Sequence, residues 1–163
     1  MKGRTTVTSV ITTDQKEPQV REGLARVVTG AIEFSSRGDA DVIRITEEVR
    51  ENVRQSGLRD GIVTIFAPGA TGALTTIEYE PGVVQDLQDV LEAIVPTGRA
   101  WQHNINNGDG NGHSHVRAGL LGPSLTVPVV GGRLTLGTWQ EIVFCDFDAR
   151  PRERSIVTQV MGV

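Results

Sequence analysis

The sequence predicts an α+β domain, a compact sandwich of mainly antiparallel strands with two main helices packed on the sheet. Three observations point there. Short apolar runs recur between clusters of Gly, Pro, Asn and Asp, the pattern of strands joined by turns. Two such runs, 124–130 and 133–136, flank Gly131-Gly132 and read as a hairpin. One segment after Pro81 places its apolar residues at spacings of three and four, the helical period. At 163 residues with a 38% hydrophobic fraction, the chain can bury one real core and is read as a single domain over 1–163.

Taken in order, residues 1–13 hold Val7, Val10 and Ile11 among threonines and read as a first strand, followed by a polar linker over 14–22. Residues 27–35 give a second strand, 36–41 a turn through Gly38 and Asp39, and 42–45 a short strand. Thr46 is the expected N-cap of a helix over 47–56: Glu47 and Glu48 suit the positive end of its dipole, and Gly57 closes it. GIVTIFA (61–67) is apolar nearly throughout and reads as an interior strand. A turn over 68–72 leads into a strand over 73–79. Pro81 then opens the strongest helix, with Glu80 near its N-cap. On it Val83, Val84, Leu87, Val90, Leu91 and Ile94 share one face, and it ends before Pro96. Residues 116–121 allow a turn and a half of helix before Gly122-Pro123. After the hairpin, 138–147 and 155–161 complete the antiparallel set around a turn at 148–153.

Composition removes several classes of function. Sixteen Lys and Arg against twenty Asp and Glu give a formal net charge of −4. With no basic run and an aromatic fraction of only 4%, nucleic acid and acidic membrane surfaces are poor partners. No stretch is long and apolar enough to span a bilayer, and the first residues lack the apolar core of a signal peptide, so the expected location is the cytoplasm. Cys145 is the single cysteine. That excludes an intrachain disulfide, and its setting in IVFCDF predicts a buried small hydrophobe rather than a nucleophile.

Function is expected in WQHNINNGDGNGHSH (101–115), which holds all three histidines, His103, His113 and His115. Its Asn, Asp and Gly content predicts a loop, and loops between patterned elements often carry function. In an extended segment His113 and His115 would face the same side, an arrangement suited to a metal ion; a solvent-exposed polar loop whose histidines merely titrate is the alternative. Gly69-Ala70-Thr71-Gly72 can offer backbone N–H groups and the Thr71 hydroxyl to an anion, but it lacks the lysine of a Walker loop, and a turn is the favoured reading. Glu78 lies late in its strand, Asp86 on the amphipathic helix and Gln140 after Trp139. Each has a plain reading as a solvated face residue. No G-x-S-x-G elbow, dinucleotide fingerprint or H-E-x-x-H motif is present.

Three stretches together resemble the YjbQ family, whose members are sometimes labelled secondary thiamine-phosphate synthases. They are GATGALTTIEYEPGVVQDL (69–87), the histidine segment running into HVRAGLLGPSLTVPV (115–129), and GRLTLGTWQEIVFCDFD (132–148). The resemblance spans most of the chain from about Thr46 onward. It implies a homotrimer with pockets near the subunit interfaces. By position it puts the family's catalytic candidates on Glu78, Asp86 and Gln140, and its two most regular histidines on His103 and His115, the metal candidates. His113 matches only a subset of members, and Gly69 stands where many bacterial members carry histidine. Thr71, Asn111 and Ser124 are the ligand-binding candidates.

Two functional classes follow. One is an enzyme, a transferase with thiamine-phosphate-synthase-like activity, that binds a small anionic or phosphorylated ligand with a divalent metal, zinc foremost. The other is a non-catalytic ligand-binding or structural trimer. The expectation that joins the candidates is geometric: His103 and His115 converge on one site, with Glu78 close by and Gln140 lining the same pocket.

Overall fold

A computed structural model describes residues 20–163. The strand expected within 1–13 and most of the linker after it lie outside the described residues. Strand β1 (Arg26–Ser36) and the short β2 (Asp41–Arg44) precede helix α1 (Thr46–Ser56), then β3 (Gly61–Phe66) and β4 (Gly72–Glu78). Helices α2 (Pro81–Ile94), α3 (Gln102–Asn107) and α4 (Gly112–Leu121) follow in succession. Strands β5 (Ser124–Val130), β6 (Arg133–Leu134), β7 (Gln140–Asp146) and β8 (Arg152–Gly162) complete the chain. They form two antiparallel sheets, one in the order β1-β8-β3-β5-β6 and the other β2-β7-β4. The fold is the expected α+β sandwich.

Alternation along β7 shows how the layers fit. Ile142 and Phe144 enter a core shared with Val63, Ile65, Val127, Ile156 and the α1 residues Val49 and Val53. Val143 and Cys145 point the other way, into a second core with Leu91 of α2 and Ala118 of α4. Period-two side chains with both faces buried explain why this strand is apolar at nearly every position. The two main helices therefore separate: α1 joins the first core, while α2 and α4 cover the opposite face of the β2-β7-β4 sheet.

Helix ends follow local chemistry. In α2 Pro81 occupies the first turn and the Glu80 side chain accepts from the Gly82 and Val83 amides, satisfying two N–H groups with no intrahelical partner. Helix α1 begins differently from the expected Thr46 cap. Its N-cap is Ile45, because Thr46 is fully buried and its Oγ1 accepts instead from the Ile142 amide at 2.8 Å. Gly57 closes α1 at φ +69°, where a side chain would be strained.

The histidine segment is not the expected loop. Helix α3 ends at Gly108, in the left-handed region at φ +69°, whose amide donates to the Asn104 carbonyl. The Asn104 side chain then accepts from the Gly112 amide at 2.7 Å, joining the two helices across a turn of only four residues, 108–111. A Cβ on Gly112 would stand 2.7 Å from Trp101 Cβ, so a glycine lets α4 begin against α3. Polar composition argued for a loop, but these Asn and Gly residues cap and join helices.

Candidate histidine site

His103, from α3, and His115, from α4, meet edge to face with ring centroids 4.5 Å apart and planes at 71°. They line a cavity of about 420 Å³ with Gly69, Ala70, Gly72, Ala118, Gly119 and Pro123. Small residues form most of its wall, so backbone lies close to its interior.

His115 is anchored through one ring nitrogen and His103 through both. His115 Nδ1 lies 2.8 Å from the Ala70 carbonyl oxygen. A carbonyl only accepts, so Nδ1 carries the proton and Nε2 keeps the lone pair of the neutral ring. His103 Nε2 lies 3.0 Å and 3.2 Å from the two carboxylate oxygens of Asp109, while its Nδ1 lies 3.0 Å from Asn107 Nδ2. Asp109 and Asn107 were not among the candidates read from the sequence. The i,i+4 spacing from His103 to Asn107 would have paired them, had the segment been read as helix.

The turn that receives His115 is itself fixed from behind. The Phe147 amide donates to the Thr71 carbonyl at 2.8 Å. The Thr71 hydroxyl donates to Asp148 at 3.2 Å and accepts from Arg154 at 3.0 Å. Arg154 also holds the fully buried Asp146, which Ser36 contacts too. Burial alone would raise the Asp148 pKa; the Arg152 hydrogen bond and charge, with Thr71 and Arg154, outweigh it and hold the carboxyl below its usual value.

His113 does not face its neighbour's cavity. On a helix, residues two apart point in divergent directions, and His113 is 6% exposed beneath α4. Burial first, then the Arg117 charge, push its pKa down, and its Nδ1 has no hydrogen-bond partner among the described residues. Arg117, also buried, donates to the Val95 carbonyl at 2.8 Å and pairs with Glu92.

The remaining candidates lie elsewhere. Glu78 and Gln140 are cross-strand partners at the far ends of β4 and β7 and line a separate cavity with Thr76 and Trp139. Six residues of strand separate Glu78 from Gly72, ~20 Å at ~3.3 Å per residue. Within one chain, then, Glu78 and Gln140 do not join the histidines, contrary to the expected single pocket. A polar pattern cannot say which end of a strand faces which helix. Gln140 instead bonds Thr76 at 2.9 Å and the Gly137 amide at 3.1 Å. Asp86 is exposed on α2, and Ser124 is exposed at the start of β5. Thr71 is buried in the network described above, and Asn111 lines a neighbouring cavity with Asp109, Asp148, Arg150 and Arg152, its Oδ1 unpartnered among the described residues. Among the described residues no three His, Cys, Asp or Glu side chains converge in the manner of a complete metal centre, and no helix is long and apolar enough to cross a membrane.

Fold and site define an antiparallel α+β sandwich with a two-histidine pocket, built where α3 and α4 meet the β3–β4 turn. Residues 30–163 match the family model described as UPF0047 protein YjbQ-like, and the chain belongs to that family. It is similar to a UPF0047 protein of Archaeoglobus fulgidus, 39% identical over 121 residues, covering 74% of this chain and 91% of the relative. The UPF0047 protein YugU of Bacillus subtilis is 35% identical over 124 residues, covering 75% and 90%. A crystal structure of a YbjQ-like protein of unknown function from Sulfolobus solfataricus superposes with a TM-score of 0.82 at 31% identity, covering 86% of this chain and 100% of that one.

Proposed function

We propose that the His103–His115 cavity binds a small anionic or phosphorylated ligand together with a divalent ion, zinc foremost. The observation that supports this reading is the approach of the two imidazoles to 4.5 Å at a cavity walled by small residues. Two imidazoles are a sound donor pair for zinc, and only two protein donors leave positions open to ligand or water, the arrangement of a reactive rather than a closed site. Such an ion would supply charge to polarise a bound oxygen. The chain's own part is to orient both rings and to keep the Gly69-Ala70 backbone close to the ligand. In its enzymatic form the reading is a transferase of the thiamine-phosphate-synthase-like kind, working in the cytoplasm.

We read the working form as a homotrimer. Exposed apolar side chains support assembly: Trp139 is 71% exposed, Ile105 63% and Ile94 59%. Large apolar groups left in water favour a covering partner. Light scattering at micromolar concentration should give three times the chain mass of 17.6 kDa; a monomer mass overturns the trimer.

Calorimetry with zinc, and thermal shift with inorganic phosphate, pyrophosphate and thiamine phosphate, test the site. Zinc should bind stoichiometrically and raise the melting temperature of the native chain, with both effects lost in the His103→Ala, His115→Ala double variant. Absence of zinc binding removes the metal reading, and absence of any shift with the three anions removes the ligand class.

A further inference from the structure

We propose that Asp109 is a positioning residue of the histidine site. It locks His103 in the ring tautomer opposite to that of His115, so that the two rings offer Nδ1 and Nε2, respectively, to one ion. The inference rests on the metal reading above and deepens it. Metal-binding histidines almost always donate their second ring N–H to a carboxylate or a backbone carbonyl, which fixes tautomer and ring orientation. Both rings here already carry such a partner. His115 has the Ala70 carbonyl at 2.8 Å on Nδ1, and His103 has the Asp109 carboxylate at 3.0 Å on Nε2.

A carboxylate, like a carbonyl, only accepts. His103 therefore donates from Nε2, and its Nδ1 is the lone-pair nitrogen of the neutral ring. The Asn107 amide at 3.0 Å from that Nδ1 is consistent, since an NH₂ group can donate to it. Asn107 thus occupies the position a metal would take on His103. Asp109 itself sits in the turn between α3 and α4, where Gly108 and Gly110 leave it free of helical constraint. Its side chain is 46% exposed. Asp109 also borders the neighbouring cavity, with Asn111, Arg150 and Arg152.

Two measurements decide the matter. Long-range proton–nitrogen correlation spectra of the metal-free full chain, at alkaline pH, should show the Nε2–H tautomer for His103 and the Nδ1–H tautomer for His115. The His103 preference should disappear in Asp109→Asn. Zinc titration of the same proteins should show a 10- to 100-fold weaker affinity for Asp109→Asn, and an equal or tighter one for Asn107→Ala, whose amide no longer competes for Nδ1. Unchanged melting temperatures in both variants exclude loss of fold as the cause. If the native chain shows opposite tautomers but takes up no zinc, the metal reading falls and the Asp109 assignment stands. If Asp109→Asn keeps both the His103 tautomer and the zinc affinity, the Asp109 assignment is overturned and the metal reading survives. Like tautomers on the two rings overturn the assignment directly.

Discussion

His115 Nδ1 and the Ala70 carbonyl oxygen lie 2.8 Å apart, so helix α4 and the β3–β4 turn are joined by one hydrogen bond between residues 45 positions apart. The orientation of the ring thus depends on how firmly residues 70–71 are held, and what holds them lies behind the cavity. The Phe147 amide fixes the Thr71 carbonyl, and Asp148 and Arg154 fix the Thr71 hydroxyl. Thr71, expected from the sequence as a ligand contact, has its hydroxyl committed to that buried network.

Replacing Thr71 by Val keeps its shape and removes only the hydroxyl. Asp148 and Arg154 each lose a buried partner, which should cost about 1–3 kcal/mol of folding stability. With the turn loosened, zinc affinity at His115 should fall as well. Urea denaturation and zinc titration check the two parts, and an unchanged urea midpoint would refute the role given to the hydroxyl.

Acid should unfold the protein through the same network. The folded-state pKa of Asp148 lies below its ordinary value, since Arg152, Thr71 and Arg154 outweigh the cost of burial. Asp41 behaves alike, burial being outweighed by hydrogen bonds from Arg37. A depressed carboxyl contributes stability above its unfolded pKa and loses it as pH falls through the folded value. Stability should therefore hold near neutrality and decline below about pH 5, where an unfolded aspartate begins to protonate. Urea midpoints from pH 7 to pH 3 should fall, with a shallower slope in Asp148→Asn. Parallel slopes would show that Asp148 is not the source.

Cys145 is fully buried in the core beneath α2 and α4, and burial pushes its thiol pKa up to about 12. Thiol reagents react with the thiolate, so the native chain should label only on unfolding, and Cys145→Ala should cost about 1 kcal/mol or somewhat more through lost packing. Labelling at the rate of a free thiol under native conditions would contradict this placement.

Much of the sandwich is legible in the sequence because its signals are local. The spacing of Val84, Leu87 and Leu91, the Pro81 start and the Gly131-Gly132 turn each need only neighbouring residues to be read. The segment 101–115 misleads because its polar residues hold structure: Asn104 reaches Gly112, and Ser114 is fully buried. The meeting of His103 with His115 was expected from family position and is present in the geometry. Asp109 was overlooked because a segment read as loop gives no reason to pair it with His103. The separation of Glu78 and Gln140 from the histidines follows from strand direction, which a polar pattern does not encode.

Gly72 opens β4 at the edge of the histidine cavity, and its lack of a side chain is needed for a reason the cavity alone does not reveal. A Cβ there would come within 2.3 Å of Phe144 Cζ. Phe144 has little room to move. It is 1% exposed, meets Phe34 edge to face at 5.5 Å, and lies 5.7 Å beneath the Arg154 guanidinium. Gly72→Ala should therefore cost about 1–3 kcal/mol, the usual range for overpacking a filled core. Gly69→Ala offers a contrast: among the described residues, none beyond its chain neighbours comes within 4 Å of the added Cβ, yet its φ is +123°, so the cost there arises from backbone strain. A second substitution separates the two causes. Phe144→Leu shortens the obstructing ring, so it should offset much of the Gly72→Ala penalty and none of the Gly69→Ala penalty. Urea denaturation of the single and double variants reads this as a coupling energy of about 1 kcal/mol or more for the 72–144 pair, and near zero for 69–144. Additive costs at 72 and 144 would mean that the ring does not set the limit on residue 72.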